Sequence, residues 1–350
     1  MIKPALKNQD GKSYQNLPNK GSLVLVRRKG KIHGCFICDN KLMRLTTDEE
    51  HGRMEGMICI AKVMDIVPNI NAAFLRIAGE RKCFIKLDDL QKGQNLTRPG
   101  KPFAQGDNCM IQVIKEPSKG KEASATCNIR VDDDIYKDLL EKATHRSDYS
   151  VLFEPTPKYQ ELISALTTDD GAVFEKILTD DKEIYEEIRI FMSEHYPNLM
   201  EKLHFYEDCL VSLKVLYGLE SKLSEALSDK VWLKCGGFLY IEPTQAMTVI
   251  DVNSGKYDKK SNREETYFKV NTEAAEEIAR QIYLRNLSGI IIIDFINMET
   301  KEYREELIKT LTNVLKNDVN PARIWGFTRL GLVELTRKKC DKTIYEQILV

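Results

Sequence analysis

Residues 289–298 read GIIIIDFINM, four consecutive isoleucines that run into Asp294. A short, unbroken β-branched run of this kind reads as a buried strand. An unpaired carboxylate left inside it would cost several kcal/mol. Asp294 therefore either emerges at the strand end to hold something or is caught in a local hydrogen bond. Residues 247–255, MTVIDVNSG, repeat the design: an apolar run ends in Asp251 with Asn253 close behind, as Asn297 follows Asp294. Alternation along a strand points Asp251 and Asn253 the same way. Between the two runs, NREETYFKVNTEAAEEIARQIYLRN predicts a helix long enough to be a crossover, which lays the strands parallel and adjacent. Both aspartates then reach one carboxyl edge, where α/β sheets usually bind ligands.

Two carboxylates held close together repel unless a cation lies between them. Hard oxygen donors with an amide to orient them suit Mg²⁺, or Mn²⁺ in its place. Magnesium typically takes one or two protein carboxylates and leaves its other positions to water and substrate phosphate. A lone aspartate at a strand end is more often a turn or cap former, and spacing alone leaves both readings open.

The rest of the chain divides by periodicity. From Ser22 to about Arg130, short alternating runs such as SLVLVRR, GCFICDN, MICIAKVMDIV and NCMIQVIKE predict strands of a small barrel or sandwich. From Asp132 to about Ser228, IYKDLLEKA, KYQELISALT, AVFEKIL, DKEIYEEIRIFMSEHY and CLVSLKVLYGLESKLSEAL predict amphipathic helices. From Val231 onward strands and helices alternate, with a hairpin turning at Gly236-Gly237, as in an α/β layer.

The stretch MTVIDVNSG…EETYFKVNTEAAEEIARQIYLRNLSGIIIIDFINM…ARIWGFTRLGLVELTRKK resembles the catalytic core of the ribonuclease E/G family. The resemblance is dense over residues 247–339, and NTEAAEEIARQ is its most specific run. It implies a magnesium-dependent endoribonuclease that cleaves single-stranded RNA to leave 5′-phosphate and 3′-hydroxyl ends. The positions matching Asp251 and Asp294 hold the metal in that family, and the one matching Asn253 orients the first aspartate. Arg323 stands where the family also carries an arginine, placed to meet RNA phosphate. Asn297 departs from relatives that have aspartate there.

A weaker likeness covers KVMDIVPNINAAFLRIAGERKCFIKLDDL, which resembles the family's OB-fold RNA-binding domain. It implies that Phe74 and Phe84 stack on bases and that Lys121 contacts RNA; Lys115, in the same KEPSKGK run, is a further candidate. Arg27, Arg28, Lys29 and Lys31 form another basic cluster, and Arg337-Lys338-Lys339 a third. The implied architecture is multi-domain, α+β and α/β: a ribonuclease H-like unit with an inserted OB-fold β-barrel, followed by a DNase I-like α/β catalytic lobe. Residues 1–50 are expected to pack with the ribonuclease H-like unit, 51–131 to form the barrel, 132–240 the helical ribonuclease H-like region and 241–350 the catalytic lobe.

Two family features have no counterpart here. Relatives insert a lobe with an arginine–threonine pair that recognises a 5′-monophosphate, whereas residues 128–159 are short and lack it; internal entry is the expectation. Relatives also carry a C-x-x-C after the core that shares a zinc between chains. Only Cys340 lies in that region, so neither a structural zinc nor a zinc-linked dimer is expected, while self-association is left open. Cys35-x-x-Cys38 stands alone and reads as structural.

A net charge of −1 predicts no whole-chain attraction to a polyanion, so any grip on RNA must come from local patches. No apolar run approaches a membrane span, the start of the chain has no signal core, and the nine cysteines fall mostly in strand-like runs, so a cytoplasmic protein is expected. Two other classes compete with the nuclease. One is an RNA-binding protein of the same family with a weak or vestigial metal site. The other is an unrelated magnesium-dependent phosphatase or nucleotidyl enzyme, for which no Gly-rich phosphate loop is present.

Overall fold

The computed structural model describes residues 21–49, 52–117, 122–146, 148–168, 171–255, 263–316, 320–339 and 342–348. Strands β1 (Gly21–Arg28), β2 (Lys31–Cys38) and β3 (Lys41–Glu49) come first. Their tight turns, Lys29-Gly30 and Asp39-Asn40, have positive φ at both central residues, the geometry whose twist matches paired strands.

Next comes the barrel: β4 (Ile58–Val67), β5 (Ala72–Arg76), β6 (Lys82–Lys86), the short helix α1 (Leu87–Leu90), β7 (Asn108–Lys115) and β8 (Ala123–Thr126). The order β5-β6-β8-β7-β4 closes through a β4–β5 pairing, a five-stranded OB-like barrel. Closure joins the five barrel strands into a ring that encloses Cys59, Val63, Leu75, Ile85 and Ile111. Helix α2 (Asp133–His145) packs Leu139 and Ala143 against Ile58, Ile60 and Met110 outside that core. Strand β9 (Val151–Phe153) pairs with β4. Residues 48–157 make one compact unit; the chain before and after them makes the other.

In the second unit follow α3 (Lys158–Ala165), the small hairpin β10 (Thr167–Thr168) and β11 (Gly171–Ala172), β12 (Phe174–Thr179), α4 (Lys182–His195), β13 (Leu203–Phe205), α5 (Leu213–Leu216) and α6 (Leu219–Leu227). The sheet runs β13-β12-β1-β2-β3, with β12 parallel to both β1 and β13. Residues 172–178, AVFEKIL, are expected to be helical from their spacing; 174–179 are instead the strand β12. Ile177 and Leu178 pair on both sides, with Leu23 and Val24 and with Leu203 and His204, and a central ladder overrides the helical spacing of so short a run. Asp181 accepts the Glu183 and Ile184 amides to cap α4. The segment CLVSLKVLYGLESKLSEAL is two helices rather than one, broken at Gly218 with φ 56°.

The last sheet is built from β14 (Lys230–Trp232), β15 (Phe238–Pro243), β16 (Met247–Asn253), β17 (Gly289–Asp294), β18 (Ala322–Phe327) and β19 (Val333–Arg337), with helices α7 (Arg263–Arg285), α8 (Lys301–Leu315) and α9 (Ile344–Ile348). Its order is β14-β15-β16-β17-β19-β18, and α7 is the crossover that makes β16 and β17 parallel. Val270, Ala274, Ile278 and Ile282 of α7 and Leu307 and Leu311 of α8 share one core with Ile241, Ile250, Ile291 and Ile293. Both helices therefore cover the same face. The isoleucine run is consequently not sealed: Ile291 and Ile293 are fully buried, but Ile290 is 47% exposed. Leu284 near the end of α7 also enters the core shared by β1, β2 and α6, and Arg280 donates to the Leu42 carbonyl at 2.5 Å. The long helix thus couples the two sheets of this unit. No helix among the described residues is long and apolar enough to cross a membrane.

Candidate active site

Parallel pairing sets Met247 opposite Ile290 and steps by single residues until Asp251 stands opposite Asp294. Register partners share a face. Thr248, Ile250 and Val252 point into the core, so Asp251 and Asn253 point out, and Asp294 with them. The two carboxylates thus sit side by side on neighbouring strands, about 4.8 Å apart in the backbone. Asn253 Nδ2 donates to Asp251 Oδ2 at 2.7 Å, which fixes that carboxylate and leaves its other oxygen available. Partial burial first, and then the Asp251 charge, raise the Asp294 carboxyl above its ordinary value. Among the described residues no group of three or more His, Cys, Asp or Glu side chains is arranged to hold a metal. The pair offers two carboxylates and an orienting amide, which is the protein share magnesium typically takes.

The frame around the pair comes from α7, through residues that spacing did not single out. Asn271 is fully buried; its Nδ2 donates to the Ile296 carbonyl at 2.8 Å and its Oδ1 accepts the Ile296 amide at 3.0 Å. This two-point clasp holds the loop that leaves Asp294. Glu264 accepts the Glu299 amide at 2.7 Å further along the same loop. Glu273 accepts the Cys235 amide at 3.1 Å in the β14–β15 turn. In that turn, a Cβ on Gly237 would meet the Asn253 carbonyl at 2.7 Å, so only glycine lets the hairpin approach the end of β16. Asn271 and Glu273 lie within NTEAAEEIARQ, residues 271–281, which gives that run a physical reason. Asn297 is exposed and accepts from Arg304 at 3.2 Å.

Arg323 is exposed on the edge strand β18, its guanidinium 3.8 Å over the Trp325 ring. It shares the outer face with the aspartates but lies in the row of Ile290 and Thr336. That row is about 13 Å along the strand from Asp294 and two strand spacings across, so the structure does not bring Arg323 to the pair. Arg329, exposed on the β18–β19 turn beyond the Ile293–Val333 partners, lies at the carboxyl edge instead, as does Arg304 beside Asn297. Of the other basic clusters, Arg27 pairs with Asp181 at 2.8 Å and Glu183 at 2.9 Å, and Arg28 with Glu220 at 2.6 Å. Arg337 is buried and donates to the Leu287 carbonyl at 2.8 Å. These arginines hold the fold together.

On the barrel, Lys115, Ser124, Phe84 and Phe74 occupy one row across β7, β8, β6 and β5. The core takes Leu75, Cys83 and Ile85 from these strands, so Phe74 and Phe84 stand outside it, half-buried, with ring centroids 6.2 Å apart. Arg76 and Lys82 are partners in the next row. The structure therefore joins three of the four barrel candidates on one surface; Lys121 lies outside the described residues. Cys35 and Cys38 are buried thiols of β2, and burial pushes the Cys35 thiol up to about 12.

The profile of the Ribonuclease E/G family matches residues 106–340. The chain is 39% identical to Ribonuclease G of Haemophilus influenzae, over 83% of this chain and 73% of that protein. Ribonuclease G of Escherichia coli matches at 29% over the same shares. Ribonuclease E of a Synechocystis species is 45% identical over 39% of this chain and 20% of its own length.

Proposed function

The chain belongs to the ribonuclease E/G family, and from that premise we propose that it is an endoribonuclease that cuts single-stranded RNA with magnesium at Asp251 and Asp294. One observation carries the assignment: the two aspartates are register partners on parallel strands, outside the core, with Asn253 clamping the first. Repulsion between the carboxylates favours a bound cation, and the oxygen donors suit Mg²⁺, with Mn²⁺ as a substitute. Magnesium, when bound there, supplies activation of water and neutralisation of charge on the reacting phosphate. Asp251 and Asp294 hold the ion, Asn253 keeps Asp251 oriented, and Asn271 fixes the loop behind Asp294. Phosphoester hydrolysis by this route leaves 5′-phosphate and 3′-hydroxyl ends. Phe74, Phe84 and Lys115 grip the strand on the barrel, with Lys121 as a further contact. Internal entry, independent of a 5′-monophosphate, fits the short segment between the barrel and the second unit.

In architecture, the β13-β12-β1-β2-β3 sheet is the ribonuclease H-like unit and the six-stranded sheet with α7 and α8 the DNase I-like lobe. The test is cleavage of a labelled unstructured RNA with Mg²⁺, by the natural chain and by Asp251→Asn. Cutting by the first alone, with products that accept ligation through a 5′-phosphate, supports the reading. If both bind and neither cuts, the chain is an RNA-binding module.

A further inference from the structure

The outer face of the catalytic sheet carries more than two aspartates. Reading across the strands at their level, Lys230 of β14 is the partner of Tyr240, Tyr240 of Asp251, and Asp251 of Asp294. One row further on, Trp232 is the partner of Phe238, and Phe238 of Asn253. The three rings form a continuous cluster: Trp232 and Phe238 have centroids 5.4 Å apart, Phe238 and Tyr240 5.5 Å. Lys230 Nζ lies over all three, 4.0 Å from Trp232, 3.9 Å from Phe238 and 5.8 Å from Tyr240. Trp232 is 62% exposed and Tyr240 38% exposed. None of the three rings belongs to the core beneath the sheet.

We propose that Trp232, Phe238, Tyr240 and Lys230 form a base-stacking subsite for the nucleotide beside the scissile phosphate, an inference that rests on the nuclease reading above. Single-stranded RNA is the occupant the chemistry favours. Exposed rings stack on any base, and the lysine among them supplies the positive charge that a phosphate one nucleotide away requires. Tyr240 is one strand spacing, about 4.8 Å, from Asp251, so a base on this cluster and a phosphate at the aspartates belong to neighbouring positions of one strand. When a base arrives, Lys230 moves from the ring faces to the adjoining phosphate.

The chain has two tryptophans, so a Trp325→Phe background reports on Trp232 alone. Titrated without metal, in EDTA, with a short unstructured A/U RNA, this protein loses Trp232 fluorescence as the RNA binds. Trp232→Ala in the natural chain weakens that binding about tenfold, and Trp232→Phe restores most of it. Lys230→Ala lowers the slope of log K against log salt by about 0.7. Single abasic substitutions along the RNA locate the base: at one position next to the cut, its removal weakens the natural chain and leaves Trp232→Ala unchanged. If the natural chain binds and cuts RNA while Trp232→Ala and Tyr240→Ala bind as tightly and no abasic position separates them, the subsite is overturned and the nuclease reading stands. The subsite is equally overturned if Trp232→Ala changes only self-association in sedimentation. A natural chain that neither binds nor cuts RNA defeats the underlying reading, and the subsite with it.

Discussion

Asp251 and Asp294 are register partners on adjacent parallel strands, one strand spacing apart. Replacing either with asparagine keeps size and hydrogen bonding but removes the charge that holds a divalent ion. Each is expected to lower cleavage at least 10³-fold while RNA affinity, measured without metal, changes by no more than about twofold. Asn253→Ala frees the Asp251 carboxylate to rotate, and the loss expected is smaller, about 10- to 100-fold, with a raised magnesium requirement as its signature. His33 sets a different limit. It is buried in β2, and burial, followed by the charges of Arg28 and Lys31, pushes its imidazole down to about 4. The unfolded chain protonates this residue near 6.5 and the folded chain only near 4, so between those values the unfolded state binds more protons. Stability is complete above the unfolded value and falls as pH drops through this window. Denaturant unfolding should show about 2–3 kcal/mol lost to this group between about pH 7 and pH 4.5, and His33→Gln should flatten that slope.

At the scale of elements, α7 is crossover, core and frame at once. Asn271→Ala leaves a part-buried amide and carbonyl at Ile296 unpaired, which destabilises by about 1–3 kcal/mol. It also releases the loop behind Asp294. Urea unfolding and single-turnover cleavage should both respond, cleavage more than the stability loss alone explains. The strand–helix–strand around the site was legible because its signals are local: two apolar runs, each ending in a carboxylate, and a helix of crossover length. What joined Asp251 to Asp294 was the parallel register, which the sequence only implied. AVFEKIL was misread because pairing on both edges, absent from any local window, decided its conformation. The isoleucine run was overread for a related reason. Which face of β17 the helices cover is a property of packing, and the spare face left Ile290 exposed. Glu264, Asn271 and Glu273 could have been suspected, since polar side chains on an otherwise apolar helix face need partners.

Over the whole molecule, a net charge of −1 means that RNA is held by patches rather than by a general field. In the two other basic clusters, Arg27, Arg28 and Arg337 are engaged in ion pairs or buried hydrogen bonds, which leaves the exposed Lys29 and Lys338 as their outward charge. The barrel row sets aromatic rings among its charges, Phe74 and Phe84 flanked by Lys115, Arg76 and Lys82. Phe74→Ala and Phe84→Ala should each weaken RNA binding about 5- to 100-fold without lowering the thermal midpoint of the chain, because both rings stand outside the barrel core. Lys115→Ala should weaken binding of all sequences alike and reduce the salt slope by about 0.7. The central claim, a divalent ion between two side chains on neighbouring strands, is reached most directly by anomalous diffraction from crystals of the chain soaked in Mn²⁺. The account predicts a peak between the carboxyl groups of Asp251 and Asp294 that disappears in Asp251→Asn. A peak elsewhere with none at this pair, or one that persists unchanged in the variant, would contradict it.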